Sequence, residues 1–370
     1  FFDDGTRLLS YEITEQTAKK GEHYITTDKK GYFNMLLTSL GGGFVVGLMC
    51  VSKVLLSKLD LSSFGEAFVY SMNYAIGFVI LYLLGFTLAT KQPAMTASTL
   101  ISALETGLKK GGSVQTKYQE FAKLFSHVFR SQVVAFTGNI IMAFTVAMLV
   151  VYLVDLGMDY NIPEPKWEKL INNLNPISSL AILHAGIAGI FLFLSGIIAG
   201  SIANRNKFNN IYDRIGKHPF LKKRFGKKFA LKLANFIENK WAGIMSNFWF
   251  GVFMGSTASV GIFLGLNLDI RHIAFSSGNF ALGMYGSNFS LSASMLIWSL
   301  VGIFIIGFMN FWVSFGLSLL LAFKSRRIPL SELKAVNLSI LTYFWNQPIA
   351  FIWPPKAVPK EADIPTTMDG

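Results

Sequence analysis

The chain has 370 residues, 52% of them apolar and only 15% charged, with a net charge of +12. Soluble domains average about 25% charged residues, so this balance excludes an ordinary soluble enzyme and points to a membrane. A single cysteine, Cys50, excludes a disulfide framework and a cysteine-bound metal cluster.

Residues 1–32 are polar and read as a cytoplasmic lead-in, the end of a longer amino-terminal region. The first expected span is Met35–Leu56, where Gly43 and Gly47 form a small-residue pair that lets helices approach closely in lipid. A second span, Phe64–Ala89, carries Asn73. Thr90–Arg130 is a basic loop, in which Tyr118–Phe129 has the apolar spacing of a helix lying on the bilayer surface. The third span, Ser131–Val154, contains Asn139, and the acidic, proline-containing Asp155–Pro176 reads as an external loop.

The fourth span, Ile177–Ala203, is 27 residues whose only ionisable group is His184. About 20 such residues suffice to cross the hydrocarbon core. It runs into residues 204–240, where eleven Lys and Arg face only Asp213 and Glu238. Loops this basic stay cytoplasmic and attract anionic headgroups, so Lys222, Lys223, Arg224, Lys227 and Lys228 are the expected lipid contacts. Such charge also suits nucleic acid, but no recognition motif accompanies it. The fifth span is Trp241–Gly265, with Asp269, Arg271 and His272 beyond its outer end. Ile273–Gly286 is apolar but too short to cross. The sixth span, Ala293–Phe323, ends at a cytoplasmic Lys-Ser-Arg-Arg, and residues 335–354 read as interfacial or re-entrant.

The expected fold is all-α: a polytopic bundle of about six spans with 1–32 as lead-in, 33–334 as membrane domain and 335–370 as an interfacial segment and tail. Every basic loop then falls on the cytoplasmic side of an inner membrane. Leu84–Ser98 laid over Leu264–Gly278 matches Leu84/Leu264, Gly85/Gly265, Leu88/Leu268 and Ala94/Ala274, and pairs Lys91 with Arg271 and Gln92 with His272. Each copy ends a span and is followed by a short apolar segment, which predicts a 3+3 inverted repeat of the kind that lines transporter cavities. Lys91, Gln92, His184, Asp269, Arg271, His272 and Asn279 are the candidate cavity or gate residues. The scattered histidines show no metal-ligand spacing, and no catalytic set, phosphate loop or cofactor-binding motif is visible.

Five blocks carry a resemblance: GEHYIT (21–26), GFTLATKQPAMTA (85–97), RSQVVAFTGN (130–139), HAGIAGIFLFLSGIIAG (184–200) and DIRHIAFSSGNFA (269–281). They resemble the bacterial family labelled "site-specific recombinase, Gcr type" over roughly residues 7–355. The resemblance implies a multi-pass carboxy-terminal half preceded by a long helical amino-terminal region. The label implies DNA strand exchange, which uses a tyrosine or serine nucleophile among basic residues in a DNA-sized groove. The apolar mass of this chain leaves only loops and termini for such a groove. Three functions therefore stand in order: handling of a small or lipid-like solute through a polar cavity, a membrane scaffold for a cytoplasmic partner protein, and recombination.

Overall fold

The computed structural model describes residues 8–16, 25–89, 96–102, 104 and 114–354. Twelve helices are used below. The first half contains α1 (Lys29–Leu56), α2 (Ser63–Leu83) and α3 (Val114–Met158), with a short helical stretch at 96–102. A small helix, α4 (Trp167–Asn172), leads to α5 (Ala181–Phe208). Three short helices follow: α6 (Ile211–Lys217), α7 (Pro219–Phe225) and α8 (Lys227–Phe236). The second half continues with α9 (Ala242–Phe263), α10 (Ile273–Gly286) and α11 (Ala293–Ser325), followed by α12 (Glu332–Asn346). No strand occurs among the described residues.

Local chemistry sets these boundaries. Asp28, Ser62 and Ser292 each turn a side-chain oxygen to the amide three residues on, capping the starts of α1, α2 and α11. Helices α2 and α9 end alike. Gly85 (φ +73°) and Gly265 (φ +67°) take left-handed conformations, and Phe86 N bonds Leu81 O as Leu266 N bonds Gly261 O.

Five helices, α1, α2, α3 from Tyr118, α5 and α11, have the length and apolarity to cross a bilayer. The sixth expected span, α9, is 22 residues without a formal charge, made less apolar by its Gly, Ser and Thr and packed against α2 and α5. The surface of α11 is inverted relative to a soluble helix. Ile297, Phe304, Phe308 and Trp312 point outward, Phe304 70% exposed, while Ser299, Asn310, Ser314 and Ser318 are buried. Small and polar residues inward with large apolar residues outward is the packing of helices in lipid. The class is a polytopic α-helical membrane bundle.

The surface helix expected at Tyr118–Phe129 and the span expected at Ser131–Val154 are one helix, α3, about 67 Å long. The sequence puts Arg130 at the end of a basic loop, with the span beginning after it. In fact Arg130 is 0% exposed and donates to Thr26 O and, at 2.9 Å, to Ala350 O. It ties the lead-in and the 348–351 turn to the helix. Helix α12 lies against the same stretch of α3, Phe351 packing on Phe125 and Phe129.

Two-fold related contacts join the halves. Gly251 sits on the backbone of Ala75, and Gly255 on that of Ser71. Ser71 and Gly251 are 180 positions apart, as are Ala75 and Gly255. Each partner therefore touches the mate of the other, which is the signature of a two-fold axis, and α2 and α9 run antiparallel across it. Other contacts follow suit: α1 packs on α3 as α5 packs on α11. Short helix α10 lies on α3, where Ser277 Oγ donates to Ile140 O at 2.8 Å, and the 96–102 stretch clusters with Phe311, Phe315 and Phe323 of α11. The expected 3+3 inverted repeat is the architecture.

Candidate functional site at the centre of the two-fold

In both halves the chain breaks after the second helix, and an asparagine from the third helix holds the broken segment. Asn139 Oδ1 accepts from Ala89 N at 2.9 Å, and its Nδ2 donates to Thr87 O at 3.0 Å and Ser39 O at 2.7 Å. Asn310 Oδ1 accepts from Ile273 N at 3.0 Å, and its Nδ2 donates to Arg271 O and Ala185 O, both at 2.9 Å. Thr87 N bonds Thr38 O as Arg271 N bonds His184 O. Non-helical backbone within a bilayer must find internal partners, and a carboxamide supplies acceptor and donors from one side chain. Both asparagines are 0% exposed.

A glycine faces each clamp. A Cβ on Gly43 would stand 2.7 Å from Asn139 O, and one on Gly189 would stand 3.3 Å from Asn310 O. Only a minimal side chain lets α1 and α5 approach this closely.

His272 bridges the two clamped segments. Its Nε2 lies 3.2 Å from Ala89 O and its Nδ1 3.4 Å from Ala274 N, so the ring is a neutral imidazole with the proton on Nε2. It is 0% exposed. One turn along α10, the Ser276 hydroxyl is 1% exposed and has no hydrogen-bond partner among the described residues. A buried polar group left unpaired calls for a water, an ion or a ligand.

Beyond this centre lie the charged candidates. His184 Nε2 is 3.0 Å from Asn267 O. Arg271 Nη1 pairs with Asp269 Oδ2 at 2.5 Å, and Arg271 Nε reaches Asn173 O at 3.4 Å. Burial pushes the Asp269 carboxyl up, but Arg271, Lys53 and the hydrogen bonds from Arg271 and Ile270 together hold it below its ordinary value. The structure thus brings His184, Asp269, Arg271 and His272 together around one loop. Asn279 is half-buried on α10 and makes no side-chain hydrogen bond among the described residues. Lys91 and Gln92 lie outside the described residues. Lys222, Lys223 and Arg224 sit on α7 and Lys227 and Lys228 on α8, two helices joined at Gly226 (φ +86°) and away from the centre.

In the sequence Asn139 and Asn310 read only as polar side chains able to hydrogen-bond between spans, and nothing there marks Ser39, Thr87 or Ser276. A constant offset sets the repeat register in the sequence and pairs Lys91 with Arg271. That offset holds at Gly85/Gly265, but the clamps equate Thr87 with Arg271, because the second loop is four residues longer. The Gly43–Asn139 and Gly189–Asn310 pairs were the available signal.

Fold and centre define a helical membrane protein built from two inverted halves that meet at broken segments. A family model described as site-specific recombinase matches residues 1–354, and the chain belongs to that family. Comparison with curated proteins found no match, and comparison with solved structures found none.

Proposed function

We propose that the chain is an inner-membrane protein, amino terminus cytoplasmic, that moves a small or lipid-like solute past the centre by exposing it to the two faces in turn. The matched asparagine clamps carry this reading. Two broken segments of opposite orientation meeting mid-bundle are the arrangement in which one half rocks against the other around a fixed site. The orphaned Ser276 hydroxyl beside the His272–Ala89 contact supplies a polar point for a solute. The crossing at Ser71–Gly255 and Ala75–Gly251 supplies a narrow pivot.

The test is reciprocal accessibility. Thr38 and Thr87 hydroxyls are 3.0 Å apart, so cysteines placed there can be oxidised to close that end. Closure is expected to raise labelling of a third cysteine, Arg271→Cys, by an impermeant thiol reagent from the opposite face. Labelling indifferent to the disulfide would sink the reading.

A second reading, a scaffold for a cytoplasmic protein, is favoured by a groove of about 530 Å³ between α3 and α12, lined by Tyr118, Lys123, Leu338 and Tyr343. Recombination ranks third. Arg130, Arg271 and Arg326 are the buried arginines among the described residues, and each is engaged by internal oxygens rather than turned to a DNA phosphate.

A further inference from the structure

Where α1 ends, three lysines gather around Ser57. Lys166 Nζ donates to Ser57 Oγ at 2.6 Å and to Ser57 O at 3.1 Å. Lys58 Nζ donates to the Tyr160 hydroxyl at 2.5 Å and lies 4.2 Å from that ring's centroid. Lys53 Nζ stands 5.3 Å from the Tyr74 centroid and 5.7 Å from that of Tyr70.

None of the three ammonium groups has an ion-pair partner among the described residues. Glu66 and Asp269 are the carboxylates close enough to be felt, and Asp269 is held by Arg271. Burial, the charge of Lys169 and the charges of Lys58 and Lys53 push the Lys166 ammonium below its ordinary pKa, only partly offset by Glu66. A helix C-terminus attracts cations, and that alone accounts for Lys166, which reaches the Ser57 carbonyl. Lys53, in the last turn of the same helix, is placed by it too, but Lys58 lies beyond the helix end and is held over the Tyr160 ring. External ends of spans also carry few lysines, so three here with no ion pair among the described residues is a departure from the pattern of sidedness.

The group adjoins the candidate centre. Tyr74, over whose ring Lys53 lies, packs edge-on against Phe275 of α10 with centroids 4.9 Å apart, and Phe275 is three residues from His272. Unpaired ammonium groups with hydroxyls between them recognise phosphate oxygens through charge-assisted hydrogen bonds. We propose that Lys53, Lys58 and Lys166 receive the phosphate group of an anionic substrate, a free phosphate or a phospholipid headgroup, at the mouth of the path to the clamped centre. This names the substrate class of the transport reading and rests on it.

The full chain, purified in neutral detergent, is titrated with radiolabelled inorganic phosphate and, separately, with short-chain phosphatidylglycerol. Saturable binding of at least one is expected, and which one binds identifies the source of the phosphate. Each of Lys53→Gln, Lys58→Gln and Lys166→Gln is expected to weaken it about tenfold. The Lys→Arg variants, which keep the charge, retain binding, as does Lys222→Gln on the distant α7. Failure of both probes to saturate overturns the proposal, as does affinity unchanged in the three Gln variants while they stay folded. The disulfide experiment reads movement and this one reads binding. Lysine-dependent binding without reciprocal accessibility leaves an anion receptor that does not transport, whereas movement without binding removes only the anion.

Discussion

Asn139 and Asn310 hold opposite halves of the bundle by the same three hydrogen bonds, one accepted from an amide and two donated to carbonyls. Replacing either with Ala orphans an amide and a carbonyl of a broken segment, each costing about 1–3 kcal/mol when buried. Asn139→Ala and Asn310→Ala should therefore lower the thermal midpoint by similar amounts, and Asn→Asp by more, because a buried carboxylate would face the two carbonyl oxygens to which Nδ2 now donates. Midpoints of the purified variants check this. A large loss for one and none for its mate would show that the clamps are not equivalent.

The pivot gives a second expectation. A methyl on Gly251 or Gly255 would overlap the backbone of Ala75 or Ser71, which cannot move aside as a side chain can. Gly251→Ala and Gly255→Ala should each cost about 1–3 kcal/mol of overpacking. Gly186, inside α5, has nothing within 4 Å of a built Cβ. Gly186→Ala should be neutral, or stabilising by up to about 1 kcal/mol through helix propensity. Unfolding midpoints of the three variants separate crowding from mere loss of glycine.

Asp269 sets an acid limit. Its folded-state pKa is depressed below the unfolded value of about 3.9, so the ionised form favours the fold. That stability is fully present above the unfolded pKa and is lost as pH falls through the folded one. Asp269→Asn should be less stable than wild type at pH 7 and should show a shallower acid decline. Parallel stability-against-pH curves for the two proteins would show that Arg271 and Lys53 do not hold the carboxylate.

Much of this architecture was legible in the chain. Uncharged runs such as Ile177–Ala203 announce spans directly, and Gly85 and Gly265 mark two equivalent helix ends because a left-handed residue excludes most side chains. The clamps were not legible. Asn139 binds Ser39, Thr87 and Ala89, groups 50 to 100 positions away, and all but the asparagine contribute backbone, which leaves no trace in residue type. Arg130 misled for the opposite reason. A charge normally marks a water boundary, yet this one is buried and its two terminal nitrogens are held by carbonyls of Ala350 and Thr26. The lysines at Ser57 come from Lys53, Lys58 and Lys166, and only folding shows that they converge.

Sidedness can be read with two engineered thiols. Cys50 is 1% exposed, so it stays silent to an impermeant maleimide and need not be replaced. Lys222→Cys lies on α7, within a segment where lysines and arginines far outnumber acids, and a short basic loop resists translocation. Lys58→Cys lies at the other end of α1 from the lead-in, beside Tyr160. In sealed right-side-out vesicles only Lys58→Cys should react, and in inverted vesicles only Lys222→Cys. The reverse result would turn the bundle over and put the lysine cluster in the cytoplasm, where a phosphate would be collected for export rather than uptake. Reaction of both thiols from one side would be more damaging. The two ends of the bundle would then share a face, and an axis lying in the membrane plane could not relate them.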